Sequence, residues 1–413
     1  MRAILSVQPI YKQRVTMQIQ GQWAEPWQPL VHAFAANFTR GEEGAGLALV
    51  HRGELVVNIW AGQHSNKLAG VVAQPWQEDT LVNIFSAGKG LVALCILQLV
   101  AQGKLALDAP VADYWPEFAQ AGKEHITIRQ VISHRAGLSA FHQHIANEQI
   151  FDWAQMTQAI VAESSWWEPG SAQGYSPFIY GWILGELVRR VSGYASFNSY
   201  FQAQVAEPLG ISCHFGVPEN QLDKIADTGP LKRPLGSPAT ASGADSIMLG
   251  KIMKADPRGV TNRAFSNPIS LMTATNSRDW RSAQIPAAGA HANAPALARI
   301  YGALANGGSL LGDTALPLCW AEQTFAQDQV LGLPLRFSHG FMLSQHDRPD
   351  CRYGRGSRAF GHPGAGGCVG FADPDYQLGF GYVTHRMGQS LLIDERAVSL
   401  IDAAYQLLEH NNV

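Results

Sequence analysis

Ser86 and Lys89, three residues apart in "NIFSAGKGLVALCILQLV" (residues 83–100), are the side chains whose types and spacing most directly suggest chemistry. The run around them is almost wholly apolar, and the chain holds only 9 lysines in 413 residues. Read as a helix, the run places both on one face, because residues three apart are neighbours. Ser86 then sits at the helix N-terminus, where free N–H groups and the positive end of the dipole favour a developing negative charge. Lys89 sits one turn in, among apolar neighbours, where full burial depresses a lysine pKa by as much as ~3–5 units. A neutral amine there takes the serine proton and makes a weak nucleophile a useful one. The spacing alone also suits a plainer arrangement, with Ser86 as an N-cap and Lys89 as a snorkelling surface residue. A phosphate loop is excluded, since the places of its first Gly and of the Ser or Thr after its Lys hold Asn83 and Gly90. A G-x-S-x-G elbow is absent: no Ser that follows a Gly at two residues, Ser139, Ser176, Ser309 and Ser390 among them, precedes one at two.

The elements that must position these residues differ along the chain. "GLALVHRGELVVNIWAG" (46–62) reads as two strands joined at His51–Glu54. "GCVGFADPDYQLGFGYVTHRM" (367–387) reads as strand, Asp-Pro-Asp turn, strand. A closing amphipathic helix is predicted over 390–410. Between the ends, helical patterns dominate: 88–102, 126–133, 152–163, 178–192, 196–206 and 293–306. The weakly patterned 218–290 segment reads as long surface loops. The expected architecture is α+β: one antiparallel sheet built from N- and C-terminal strands, flanked by helices, with a large, mostly helical insertion. The expected subdomains are 20–85 with 335–413, and 86–334, with the active-site cleft between them.

Composition narrows the function. Apolar residues make up 46% and charged residues 15%, enough for a sizeable core. The net charge of -3 provides no basic field for nucleic acid or an anionic membrane. Cys95, Cys213, Cys319, Cys351 and Cys368 are odd in number and widely spaced, which reads as free thiols in a reducing compartment. The expectation is a soluble, cytoplasmic protein without a signal-peptide core, with Met17 as a candidate true start. His142 and His144 form an H-x-H with no third ligand in view and read as surface residues.

Further segments follow in order: "HITIRQVISHRAGLS" (125–139), "WEPGSAQGYSP" (167–177), "APALARIYGALANGG" (294–308) and "FGHPGAGG" (360–367). With the S-x-x-K they resemble the serine beta-lactamase and penicillin-binding-protein superfamily, most closely the class C-related family VIII carboxylesterases. The resemblance implies that Ser86 and Lys89 are the nucleophile and its amine and that Tyr175 is their phenolic partner. It implies that His362, Pro363 and Gly364 stand in the place of the K-T-G triplet, and that the N–H groups of Ser86 and Ala365 form the oxyanion hole. His134, in "SHRAGL", is assigned a structural role, hydrogen-bonding a neighbouring helix or loop. Trp166 and Trp167 are candidate walls of an acyl pocket, and His362 and Gly364 are candidate substrate contacts.

Two departures bear on substrate. Pro177 replaces the asparagine of Y-x-N and offers no donor, and His362 replaces a permanent ammonium with an imidazole. Both remove polar recognition suited to beta-lactams, so the expectation is an uncharged ester with a short to medium acyl chain, cleaved through an acyl-serine. No metal or organic cofactor is implied, and the partner is a small-molecule ester, with a homo-oligomer left open. The alternatives are a weak beta-lactamase, a D-amino-acid peptidase or an acyltransferase of the same chemistry, and a catalytically silent scaffold.

Overall fold

The two ends of the chain meet in one sheet. The computed structural model describes residues 18–232 and 244–410, so Met17 and part of the 218–290 segment lie outside the described residues. Ten strands form an antiparallel sheet whose path runs Gln20–Trp23, Glu54–Asn66, Gly44–His51, Leu378–Thr384, Val369–Asp373, Phe360–Pro363, Met342–Leu343, Pro334–Phe337 and Thr324–Gln327; Val71–Pro75 pairs off this path with Glu54–Asn66. The joint between the ends is a full antiparallel register, from Leu378 opposite His51 to Thr384 opposite Ala45. Both predicted hairpins form. Arg52 (φ 51°) and Gly53 (φ 84°) turn the first with left-handed backbone, which suits the twist of the flanking strands.

Period-two alternation divides the core between the faces of the sheet. Ala45, Leu47 and Leu49 join the cluster that holds Phe371, Phe380 and Leu400, while Ala48 and Val50 join the larger cluster of the helical body. Helices Gln28–Phe38 and Glu395–His410 lie against each other and supply the first cluster with Leu30, Phe34 and Tyr405. Helix Ala294–Ala305, capped by Asn293, covers the other face. Its seat is built from small residues: a Cβ on Gly379 would lie 2.1 Å from the Gly302 backbone nitrogen. Helix Gly88–Ala101 is buried from Gly88 to Leu99, as its all-round apolar sequence requires.

The predicted helices form near their expected places: Ile128–Ile132 with a Thr127–Gln130 capping box, Trp153–Ala162 capped by Asp152, Ile179–Ser192, and Phe197–Phe201 continuing to Leu209. The C-terminal helix begins at Glu395, five residues later than expected. The long loops expected over 218–290 are corrected. The described part contains helices Ala244–Ala255, Val260–Ser266, Ser270–Thr273 and Arg278–Ser282. Most are too short for a periodic signal, and tertiary contacts hold them: Trp280 is fully buried, and Arg281 pairs with Asp227 at 2.6 Å, both buried. We propose a sheet part and a helical part as the domain organisation, with the C-terminal share of the sheet part starting at the Thr324 strand rather than at 335.

Because Gly379 meets backbone that cannot rotate away, Gly379→Ala is expected to cost about 1–3 kcal/mol through overpacking. Urea denaturation reads this as a lowered midpoint; an unchanged midpoint would mean that the helix can lift off the strand freely.

Candidate active site

The apolar helix starts one residue beyond a strained turn. Strand Leu81–Asn83 leads into a short 3-10 turn, Phe85–Ala87, that runs directly into helix Gly88–Ala101. Phe85 holds φ at 47°, a left-handed conformation that is costly for a bulky residue and that collects at functional sites. Ser86 follows it, half-buried; the N-cap positions of the turn and of the helix are held by Ile84 and Ala87, neither with a side-chain cap bond, so Ser86 is not an N-cap. The glycines beside Lys89 are contact residues. A Cβ on Gly88 would lie 2.9 Å from the Ala290 side chain, and one on Gly90 would lie 2.5 Å from the Tyr301 hydroxyl. Only a bare backbone lets this helix enter so close to its neighbours.

Lys89 does not snorkel; its side chain is wholly buried. Nζ reaches Ser86 Oγ at 3.0 Å, the Pro177 carbonyl at 2.7 Å and the Ala287 carbonyl at 2.9 Å. Burial holds the amine well below the usual lysine range, and the positive end of the helix dipole acts in the same direction. The two carbonyls can only accept, whereas a hydroxyl donates as readily as it accepts. A neutral amine therefore keeps both carbonyl bonds and turns its lone pair to the Ser86 hydroxyl. An ammonium donates to all three.

Tyr175 completes the group, with its ring centre 4.8 Å from Lys89 Nζ. Burial pushes its phenol above the usual range, a hydrogen bond with Ser86 pulls it back, and the Asp328 carboxylate adds to the rise. The backbone on both sides of Tyr175 is fixed by side chains. Asp328 Oδ2 accepts the Tyr175 N–H at 2.8 Å, and His134 Nδ1 accepts the Ser176 N–H at 3.1 Å. His134 thus holds a loop, as assigned from sequence, and also stacks on Tyr180 with centroids 4.7 Å apart.

Strand Phe360–Pro363 lies alongside. His362 is buried and donates through Nδ1 to the Pro363 carbonyl at 2.8 Å, which assigns its proton to Nδ1. Burial pushes its pKa down to about 3, so the ring is neutral. Gly364 sits behind the site, where a Cβ would meet the Ile84 carbonyl at 2.1 Å; it brings the strand end against the Ser86 turn. Ala365 follows on the wall of the cavity. Among the described residues, no protein acceptor takes the N–H of Ser86 or of Ala365.

These groups open on a cavity of about 250 Å³. Ser86, Tyr175, His362 and Ala365 line it together with Phe85, Phe178, Phe265, Leu271, Met272, Leu331, Leu391 and Leu392. No Asp, Glu, Lys or Arg is among its described lining residues. Trp166 and Trp167 are not brought to it. Trp166 stacks on His142 with centroids 4.0 Å apart and donates to the Ala140 carbonyl, while the Trp167 ring covers Gly174. His142 and His144 are exposed, and no cluster of three or more His, Cys, Asp or Glu suited to a metal occurs among the described residues. The apolar wall and Asp328 had no legible local signal: the wall comes from the weakly patterned segment and the 387–392 approach to the last helix, and "AQDQVLG" reads as an ordinary turn.

The family model described as beta-lactamase matches residues 27–403. The esterase/beta-lactamase LipL of Mycobacterium tuberculosis (strain ATCC 25618 / H37Rv) is 31% identical over 379 residues, covering 89% of this chain and 83% of its own. A solved family VIII carboxylesterase is 35% identical, with a TM-score of 0.83 over 94% of this chain and 100% of that one. A penicillin-binding protein homolog from Caulobacter crescentus, also 35% identical, superposes with a TM-score of 0.81 over the same shares.

The buried amine makes a stability prediction. Between its lowered folded pKa and the ordinary value near 10.5, the unfolded chain binds a proton at Lys89 that the folded chain does not. Stability therefore rises with pH through that window. Lys89→Met lacks this slope, so urea denaturation from about pH 7 to pH 10 is expected to show wild type gaining on the variant as pH rises. Parallel curves would mean that Lys89 stays charged in the fold.

Proposed function

We propose, from the premise that this chain belongs to the beta-lactamase family, that it is a serine hydrolase of uncharged carboxylic esters with short to medium acyl chains. The observation that carries this reading is the buried Lys89 amine, held by two backbone carbonyls and the Ser86 hydroxyl. In this mechanism Ser86 Oγ attacks the ester carbonyl while Lys89 and Tyr175, acting as a coupled pair, take its proton. The oxyanion rests on the N–H groups of Ser86 and Ala365, where one donor is typically worth ~10²–10³ in rate. The alcohol leaves with a proton from Tyr175. Water then enters, the same pair acts as base, and the acyl-serine is hydrolysed.

The cavity supports the substrate class. Its lining gives an acyl chain apolar surface and gives a carboxylate no cation. His362, neutral at working pH, does not supply one, and Pro177 spends its carbonyl on Lys89. Names among the relatives, "esterase/beta-lactamase" and "carboxylesterase", agree with the reading. Among the described residues no helix is long and apolar enough to cross a membrane. All five cysteines are free and buried, which supports a cytoplasmic setting for an enzyme acting on small molecules.

Lys89→Ala is expected to remain folded by circular dichroism and to lose about 10²–10⁴ in kcat on a short-chain p-nitrophenyl ester; wild-type kcat in a folded variant would remove Lys89 from the mechanism. In side-by-side assays, p-nitrophenyl butyrate is expected to turn over much faster than a chromogenic cephalosporin or D-alanyl peptides. Faster turnover of the peptides would replace the esterase reading with a peptidase.

A further inference from the structure

Asp328 is fully enclosed, 1% exposed, yet among the described residues no cation pairs with it. Its carboxylate accepts four N–H groups. Oδ2 takes the backbone N–H of Tyr175 at 2.8 Å and the Gln173 side-chain amide at 3.3 Å. Oδ1 takes the backbone N–H groups of Val330 at 3.0 Å and Leu331 at 2.9 Å. The two oxygens thus face different parts of the site. One fixes the loop that carries the phenol, and the other closes the turn that carries Leu331, a wall of the cavity. A second link joins the same two loops, from the Gln329 N–H to the Gln173 carbonyl at 2.9 Å.

We infer that Asp328 is a positioning residue for the reaction, setting the place of the Tyr175 phenol relative to Ser86 and Lys89 by anchoring the Tyr175 main chain to the cavity wall. This rests on the mechanism proposed above. A buried carboxylate without a counter-ion is costly to maintain; burial raises the pKa of this one to about 6, against the pull of its N–H donors. A turn that only needed closing would be served by a serine, whose hydroxyl caps N–H groups two and three residues on. The long reach of the second oxygen to Tyr175 is what the serine lacks. A displacement of about 1 Å in a catalytic group is enough to cost ~10²-fold in rate.

The test is a double-mutant cycle with Tyr175→Phe, read as kcat and KM on p-nitrophenyl butyrate. Asp328→Asn keeps an oxygen for Val330 and Leu331 and turns an NH2 group toward the Tyr175 N–H. Asp328→Ser keeps the turn and loses the reach, and serves if the asparagine variant fails to fold. Either variant, folded by circular dichroism, is expected to lower kcat by about tenfold or more with KM within about twofold. In the Tyr175→Phe background, where the phenol is gone, the same substitution is expected to change kcat by less than about twofold. Equal losses in both backgrounds, or a loss in KM alone, would overturn the inference and leave Asp328 a structural residue. If Tyr175→Phe by itself retains wild-type kcat, the mechanism with Tyr175 as base partner fails instead.

Discussion

Lys89, buried without a carboxylate partner among the described residues, is the constraint from which the site follows. An ammonium in such a place loses its hydration and gains only neutral acceptors in return, so the neutral form is favoured. The surroundings are arranged for that outcome. Two main-chain carbonyls, from Pro177 and Ala287, fix the amine by two of its hydrogens. The third direction leads to Ser86 Oγ, the one partner that can reverse its role from acceptor to donor. Proton movement between serine and lysine therefore breaks no other bond. The same feature carries a cost in stability, since the unfolded chain holds its ammonium in water; sites that retain such groups trade fold stability for reactivity.

The rest of the fold keeps this arrangement dry and rigid. The helix carrying Lys89 is apolar on all sides and buried along its length, so it cannot rotate the amine toward solvent. Gly88 and Gly90 let its first turn press against Ala290 and Tyr301. Phe85, strained ahead of Ser86, turns the chain from strand to helix and also walls the cavity. On the opposite side Gly364 draws the Phe360–Pro363 strand up to Ile84. The strand ends, and Ala365, whose N–H no acceptor among the described residues takes, follows on the cavity wall. That strand exists because residues near both ends of the chain pair in the centre of the sheet.

The parts of this account legible in the sequence are those with local signals. Turn residues at Arg52-Gly53, alternating strands and the helical patterns at 126–133, 152–163 and 293–306 mark elements that form close to their predicted limits. The order of short motifs pointed to Ser86, Lys89 and Tyr175; Ser86 and Tyr175 line one cavity, and Lys89 lies buried behind them on Ser86 Oγ. Long-range geometry was not legible. Trp166 and Trp167 precede Tyr175 by only a few residues, but the loop turns them toward His142 and Gly174. Asp328 lies 153 residues from the N–H it accepts, a relation no spacing rule contains. The acyl wall is built from helices of a few residues, such as Ser270–Thr273, whose formation depends on the surface they land on.

The most direct measurement of the central claim is the protonation state of Lys89 itself. In protein labelled with 13C and 15N at lysine, the 13Cε and 15Nζ resonances missing from Lys89→Ala identify this side chain among the nine. Titrated by NMR, they are predicted to change from ammonium to amine well below the ordinary lysine value near 10.5. Resonances that remain those of an ammonium up to pH 10, in folded protein, would contradict the account.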